Sequence, residues 1–134
     1  MKIHHSMELQ KVNQKEILKS WSENFNKANL SGILNLYNPS SILIPTFSPD
    51  ILSCRSEIKE YFTKLIEGQN SSVEIQLDSI LEQEITESIF LLSGNYIFKL
   101  EKNKKIHARF SFIIDITSVN PIKHHHSSPI TKTD

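Results

Sequence analysis

The chain has 134 residues, carries 15 basic against 15 acidic side chains and contains one cysteine. That length fits a single domain with a sizeable core, and a neutral balance without a basic stripe argues against nucleic acid as a partner. The lone cysteine excludes an intramolecular disulfide framework, no export signal leads the chain, and no apolar run approaches the ~20 residues of a membrane span, so we expect a cytoplasmic protein without membrane contact.

Two helices are predicted in the first third of the chain. From residue 12 to about 28, apolar residues recur every three or four positions, which indicates an amphipathic helix. Ser31 is a candidate N-cap for a short second helix, and Asn38 with Pro39 would stop it. Together these two helices predict a helical hairpin at the start of the domain.

A strand, a stiff loop and a third helix should follow. Residues 41–45 have the composition of a strand, and the loop after it is bounded by prolines that would fix Thr46 in place. Ser56 can cap a helix over residues 57–67, on whose apolar stripe Tyr61 is the only polar tip. A buried tyrosine hydroxyl needs a partner, so this position is a candidate for a polar pocket.

The second half of the chain changes to a period of two, which predicts strands. Residues 73–85 form a long strand that must bend where its alternation slips, and residues 88–100 form a second, with Gly94 as a bulge. A third strand covers residues 106–117, and a last strand follows the turn at residues 118–121. Helices first and antiparallel strands afterwards indicate an α+β domain with helices on one face of a curved sheet.

Three consecutive histidines and two serines concentrate acid–base chemistry in the last predicted strand. In an extended segment His124, His126 and Ser128 point to one face, and His125 and Ser127 to the other. We expect the first set to line a pocket, although a register change of one residue would exchange the two sets. A purification tag is the alternative explanation, but three histidines followed by eight further residues make an unusual tag.

Several short words in the sequence together resemble a known family. They are Trp21 with Phe25, and residues 32–37, 43–46, 58–62, 108–112 and 124–129. They resemble the nuclear transport factor 2-like fold that ketosteroid isomerase and SnoaL-like proteins share, and within it the association domain of calcium/calmodulin-dependent protein kinase II. The resemblance implies a cone-shaped α+β fold, with N-terminal helices packed on a strongly curved, mostly antiparallel sheet.

The segment His-His-His-Ser-Ser is similar to the signature of iota-class carbonic anhydrases. That resemblance implies a pocket for carbon dioxide and bicarbonate in which hydroxyl groups orient water and carbon dioxide, His126 passes protons to solvent and Arg109 stabilises the anion. The short link at residues 118–122 and the tail after residue 128 depart from the family pattern, which leaves the register of the last strand open. The implied catalytic residues are Thr46, Tyr61, His126 and Ser128, and the implied substrate-binding residues are Arg109 and His124.

Each of these residues also has a structural alternative. Arg109 could pair with Asp115 or Glu101, Tyr61 could simply pack in the core, and Thr46 could cap a turn. Three adjacent histidines do not readily bind one metal ion, because alternation turns the middle ring away. We therefore expect a metal-free pocket without a cofactor, a divalent metal remaining the alternative.

Three functional hypotheses follow. The first is a carbonic anhydrase, and the second is an association or small-ligand-binding module of the same fold. The third is proton-transfer chemistry of the ketosteroid isomerase kind, which needs a carboxylate base inside the fold, for which Asp115 is the best candidate. In domain terms we expect a flexible leader over residues 1–11, one domain over 12–130, a tail over 131–134, and a homodimer formed through the sheet.

Overall fold

The computed structural model describes residues 13–67 and 70–131. Within these residues lie three α-helices and five strands, in the order α1, α2, β1, α3, β2, β3, β4, β5, with a short 3-10 turn (Glu101–Asn103) between β3 and β4. The expected leader over residues 1–11, which includes His4 and His5, and the last three residues of the expected tail lie outside the described residues. The helices are α1 (Gln14–Asn26), α2 (Leu30–Leu36) and α3 (Arg55–Glu67), and the strands are β1 (Tyr37–Ile44), β2 (Ser72–Glu84), β3 (Ile89–Leu100), β4 (Lys104–Asp115) and β5 (Ile122–Pro129).

The two N-terminal helices form because each has an apolar face and an asparagine cap. Asn13 accepts a hydrogen bond from the Lys15 amide (2.8 Å) at the start of α1. The expected cap of α2 at Ser31 is wrong: Asn29 supplies it, accepting from the Gly32 amide at 3.1 Å. The predicted stripe of α1 is confirmed, since its apolar residues are all buried, namely Ile17, Leu18, Trp21 and Phe25.

A single five-stranded sheet supports the helices. Its strand order is β1-β5-β4-β3-β2, and every pair is antiparallel except β1 with β5, which run parallel. β1 begins at Tyr37, earlier than expected, and includes Pro39 because an edge strand tolerates a residue that cannot donate to the ladder. The fold is therefore α+β, with a curled, mostly antiparallel sheet that does not close on itself.

The predicted bend in the first long strand is confirmed, whereas the predicted bulge at Gly94 is wrong. The pairing of β2 with β3 shifts between Gln76 and Leu81, and Gly94 lies opposite that shift in an unbroken pairing with Phe110. A Cβ atom at Gly94 would stand 2.9 Å from the Phe110 ring and 3.0 Å from the Ser79 hydroxyl. A larger residue here would force the Phe110 ring or the Ser79 side chain to shift, and the extra residues of the irregular pairing belong to β2.

The helices cover one face of the sheet and form the core with it. The predicted inward face of β4 is confirmed, because Ala108, Phe110, Phe112 and Ile114 are all buried. Aromatic side chains from helices and strands fill most of the space between the two layers. Among residues 13–67 and 70–131, none of the helices is long and apolar enough to cross a membrane.

Candidate functional site

The strand with the three histidines has the expected alternation, but its faces are the reverse of those expected. His125 lies directly opposite Phe112, and Ser127 directly opposite Phe110, so both share the buried face of β4. His125 and Ser127 are 2% and 4% exposed. The register at the start of β5 shifts between Ile113 and Ile114 of β4, and this shift selects the alternative in which the interior receives His125 and Ser127.

His125 occupies the centre of a buried hydrogen-bond chain. Its Nδ1 atom lies 2.7 Å from the Tyr37 hydroxyl, and that hydroxyl accepts a hydrogen bond from Trp21 Nε1 at 3.0 Å. On the other side of the ring, Nε2 lies 3.0 Å from the Tyr96 hydroxyl. The imidazole also stacks on Phe112, with ring centroids 3.8 Å apart. Both ring nitrogens are thus occupied in an otherwise aromatic environment.

The buried chain of hydrogen bonds continues from Tyr96 towards the loop after β1. The Tyr96 hydroxyl donates to Ser127 Oγ at 2.5 Å, and Ser127 Oγ in turn contacts the hydroxyl of Thr46. Thr46 is half-buried, whereas Tyr96 is completely buried. The polar chain therefore passes from the core, through β3 and β5, to the loop that was expected to hold Thr46 in place.

Burial determines the protonation state of the groups in this chain. It lowers the pKa of His125 well below its ordinary value, and the charges of His124 and His126 on the same strand add to that effect. Burial also raises the pKa of Tyr37 and of Tyr96. At neutral pH the imidazole is therefore neutral and both phenols keep their protons.

Tyr61 stands between an interior cavity and an outer cleft. The interior cavity measures about 10 Å³, close to the least space that holds one water molecule, and the residues that line it include Tyr61, Tyr96, His125 and Ser127. The outer cleft measures about 660 Å³ and runs between α3 and the loop at residues 47–52. The Tyr61 hydroxyl accepts a long hydrogen bond from the Phe47 amide (3.4 Å), and burial raises its pKa.

Four of the six expected site residues lie on the opposite face of the sheet. Arg109, His126 and Ser128 line an open groove of about 530 Å³ there, in which Arg109 pairs with Ser128 across β4 and β5. His124 points to the same outer side, and burial lowers its pKa. The expectation that these residues share one pocket with Thr46 and Tyr61 is wrong, because the sheet separates the two sets.

The other structural alternatives are settled by position. Within the described ranges Arg109 makes no ion pair with Asp115 or Glu101. Asp115 ends β4, where it accepts hydrogen bonds from the Thr117 amide (3.0 Å) and hydroxyl (2.6 Å), which lower its pKa. Asp115 is thus held in the hairpin and does not provide a carboxylate inside the fold.

The side chains of the three consecutive histidines do not point towards a common metal-binding position. Across the described part of the chain, no three His, Cys, Asp or Glu side chains come close enough together to bind one metal ion. Alternation explains this for β5, because His125 points inward and its two neighbours point outward.

His125 and Ser127 were expected at the pocket only if the register of the last strand differed, and three further residues of the buried hydrogen-bond chain were not predicted as site residues at all. Trp21 was assigned to an apolar stripe, Tyr37 to the end of a helix, and Tyr96 to the middle of a strand. A phenol or indole in an apolar pattern does signal a buried polar atom that needs a partner. Pairing them with His125 required knowledge of which strand lies beside which.

Comparison with known proteins finds likeness in structure alone. No protein-family model matches the chain, and no curated protein matches it significantly. A solved structure from Xanthomonas campestris, described as a calcium/calmodulin-dependent protein kinase II association domain, is 22% identical, with a TM-score of 0.76 over 87% of this chain and 84% of its own. A protein from Streptomyces avermitilis, described as a dehydratase of the NTF2-like family, is 10% identical, with a TM-score of 0.76 over 88% and 94%. A ketosteroid isomerase-like protein from Erwinia carotovora atroseptica is 11% identical, with a TM-score of 0.69 over 88% and 94%.

The chain therefore has the nuclear transport factor 2-like fold that its sequence words resemble. Within that fold it is similar to proteins of the association-domain, dehydratase and isomerase types. At these identities the likeness establishes the fold, and the activity has to be argued from the site.

Proposed function

We propose that the protein is a carbonic anhydrase of the iota-class type, which hydrates carbon dioxide reversibly to bicarbonate at Thr46, Ser127 and Tyr61. The observation that carries the proposal is the contact between the hydroxyls of Thr46 and Ser127. The Tyr96 hydroxyl fixes Ser127 in this position by donating a hydrogen bond to its Oγ atom. In this proposal the inward-facing His125 and Ser127 take the places that were expected for His126 and Ser128. The resemblance of the His-His-His-Ser-Ser segment to that class supports the same assignment.

The reaction converts carbon dioxide and water to bicarbonate and a proton, so negative charge develops on the oxygens of carbon dioxide. Hydroxyl donors fixed at the edge of an apolar core stabilise such charge because they need no reorganisation. Ser127 and Tyr61 line the interior cavity together, and Ser127 contacts Thr46. Solvent water or buffer is the acceptor of the released proton, and the outer cleft, which Tyr61 also lines, is the solvent-exposed space on that side of the site.

The size and lining of the interior cavity argue against a substrate that contains a ring system. A cavity of about 10 Å³ has no room for a ring system, because aromatic side chains fill the space around it. Among the described residues no carboxylate lines it, whereas isomerase chemistry of the ketosteroid kind needs one. The isomerase hypothesis would therefore require both a different base and an opened core.

A carbon dioxide hydration assay on chelator-treated protein tests the proposal. We expect measurable hydration by the wild type and a loss of about 100-fold in Thr46→Val and Ser127→Ala, the scale reported for one oxyanion donor. Ser128→Ala is the matched control, because Ser128 lies on the other face of the sheet. A wild-type rate equal to that of buffer, from protein with a cooperative thermal transition, would contradict the proposal.

An association module is the second candidate function. The helices cover one face of the sheet, while the other presents the groove of Arg109, His126 and Ser128, and the similar structure from Xanthomonas campestris is described as an association domain. In this case the sheet would form a homodimer or a larger oligomer, and the interior pocket would only bind. Inactive protein that sediments as an oligomer would favour this function over the first.

A further inference from the structure

The inner end of the buried chain fixes the direction of its first hydrogen bonds. An indole nitrogen can only donate, so Trp21 donates to the oxygen of Tyr37. The Tyr37 proton has one acceptor among the described residues, the Nδ1 atom of His125. Nδ1 is therefore unprotonated and accepts.

Because Nδ1 of the imidazole accepts, the direction of the hydrogen bond at Nε2 is fixed as well. A neutral histidine carries one proton, so with Nδ1 accepting, the proton of His125 lies on Nε2 and is donated to the Tyr96 oxygen, 3.0 Å away. Tyr96 then donates its own proton to Ser127 Oγ. The groups packed against the ring are Trp21, Tyr37, Tyr96 and Phe112, none of which is charged, and the imidazoles of His124 and His126 lie on the other face of β5.

The outer end of the chain is left with hydroxyl protons that have no acceptor. Either hydroxyl of Thr46 and Ser127 can donate in their mutual contact, and in both cases one proton of the pair finds no further acceptor in the described residues. Tyr61 accepts from the Phe47 amide, and its proton likewise has no partner there. Two hydroxyl protons are therefore available to a ligand. One belongs to the Thr46–Ser127 pair, and the other belongs to Tyr61.

We infer that the site is a donor site for a small oxyanion, such as bicarbonate or a short monocarboxylate, and that His125 is the positioning residue whose Nε2–H tautomer sets this polarity. The chain does not work as a proton shuttle, because its inner end closes at Trp21, which cannot accept a proton. A ligand that offers only donors, such as ammonium, would leave both free hydroxyl protons without an acceptor. The inference rests on the proposed function only for the position of the ligand, and it would stand without catalysis.

Nitrogen-15 NMR of the full chain labelled at histidine tests the tautomer. We expect His125 to show a protonated Nε2 and an unprotonated, hydrogen-bonded Nδ1, with shifts that stay constant from about pH 8 to about pH 5. Tyr37→Phe removes the one donor to Nδ1 among the described residues and should change the Nδ1 shift. His126→Gln, which alters the outward-facing neighbour, should leave it unchanged. A protonated Nδ1, or a titration of His125 within that pH range, would overturn the inference.

Sodium formate is the probe for the ligand class, with sodium chloride and ammonium chloride at equal ionic strength as comparisons. We expect formate alone to shift the His125 Nε2 signal in a saturable way, and Thr46→Val to weaken its apparent affinity about tenfold, the loss of one charge-assisted hydrogen bond. Equal affinity in wild type and Thr46→Val, or a response to ammonium as strong as that to formate, would refute it. Absence of carbon dioxide hydration together with the predicted tautomer and formate response would remove the proposed enzyme and leave the oxyanion site.

Discussion

Ser127 and Ser128 are consecutive in β5, yet the hydroxyl of Ser127 contacts Tyr96 and Thr46 inside the fold, whereas Ser128 lies beside Arg109 on the outer side of the sheet. This pair offers a direct comparison of the same side chain in two environments. Any difference between their alanine variants reports the environment, because the covalent change is identical.

We predict that Ser127→Ala lowers the free energy of unfolding by about 1–3 kcal/mol, because the completely buried Tyr96 hydroxyl loses its acceptor. Ser128→Ala should change it by no more than about 0.5 kcal/mol. Urea denaturation of both variants at neutral pH measures the difference. Equal destabilisation in the two variants would show that the buried chain does not contribute as described.

Ser41 is expected to behave in the opposite way to Ser127. It is 1% exposed in β1, and its hydroxyl has no hydrogen-bond partner within the described residues. Burying an unpaired hydroxyl costs free energy, so Ser41→Ala should raise the free energy of unfolding by about 1 kcal/mol. Thermal unfolding checks this, and a marked drop in the midpoint would indicate a partner that the described contacts lack.

The two arginines of the chain form a second matched pair. Arg55 donates to the Leu34 carbonyl (2.9 Å) and the Tyr37 carbonyl (3.0 Å), which ties α3 to the junction of α2 and β1. Arg55→Ala should destabilise the protein by about 1–3 kcal/mol and broaden the His125 signals, since Tyr37 is the donor to that ring. Arg109→Ala should affect neither quantity, because Arg109 is exposed on the outer face.

Stability should fall as the pH is lowered from about 7 to about 5. The pKa of His125 is depressed in the folded protein, so below the unfolded value of about 6.5 the unfolded chain takes up a proton that the folded chain does not. One such histidine contributes a slope of at most about 1.4 kcal/mol per pH unit, and His124, whose pKa is also lowered, adds to it. The lowered pKa values of Glu57 and Asp115 act in a more acidic window, below the ordinary carboxyl range.

Urea denaturation at several pH values measures this dependence. His125→Phe, if it folds, should flatten the slope, and His124→Gln should remove a smaller part of it. An unfolding free energy that does not change between about pH 7 and about pH 5 would contradict the neutral, buried state of His125.

Tyr61 should affect the ligand more than it affects stability. Its only described hydrogen bond is the long one from the Phe47 amide, so Tyr61→Phe should cost no more than about 1 kcal/mol of stability. The variant should nevertheless weaken formate binding about tenfold, since it removes one of the two free donors. Calorimetric titration measures this, and unchanged affinity would show that the Tyr61 hydroxyl points away from the ligand.

The helices and the inward face of β4 could be predicted because their signals are local. A periodic stripe such as that of α1 identifies both the element and its buried side, and the long alternation of β4 does the same. Ends were predicted less well. Asparagine and serine can both cap a helix, and the choice of Asn29 over Ser31 depends on where the chain leaves α1.

The face of the histidine segment could not be predicted from its own residues. Alternation fixes which side chains share a face, but both sets in β5 contain histidine and serine, so hydrophobicity does not choose between them. The choice is made by pairing with β4, where an extra residue near Lys123 changes the register after the Pro121 turn. A shift of this kind depends on the contact between strands, and the sequence of one strand does not contain it.

Trp21 is the only tryptophan of the chain, so its fluorescence is a built-in reporter for the site. The indole donates to Tyr37 and lies edge-on to the His125 ring, with centroids 5.4 Å apart. A ligand at Thr46 that repolarises the hydrogen bonds, or acid that forces a proton onto His125, would alter the emission of this one residue. Ligand binding can therefore be followed by fluorescence without a label. The signal comes from Trp21, at the inner end of the hydrogen-bond chain, while the ligand binds at the outer end, beside Thr46.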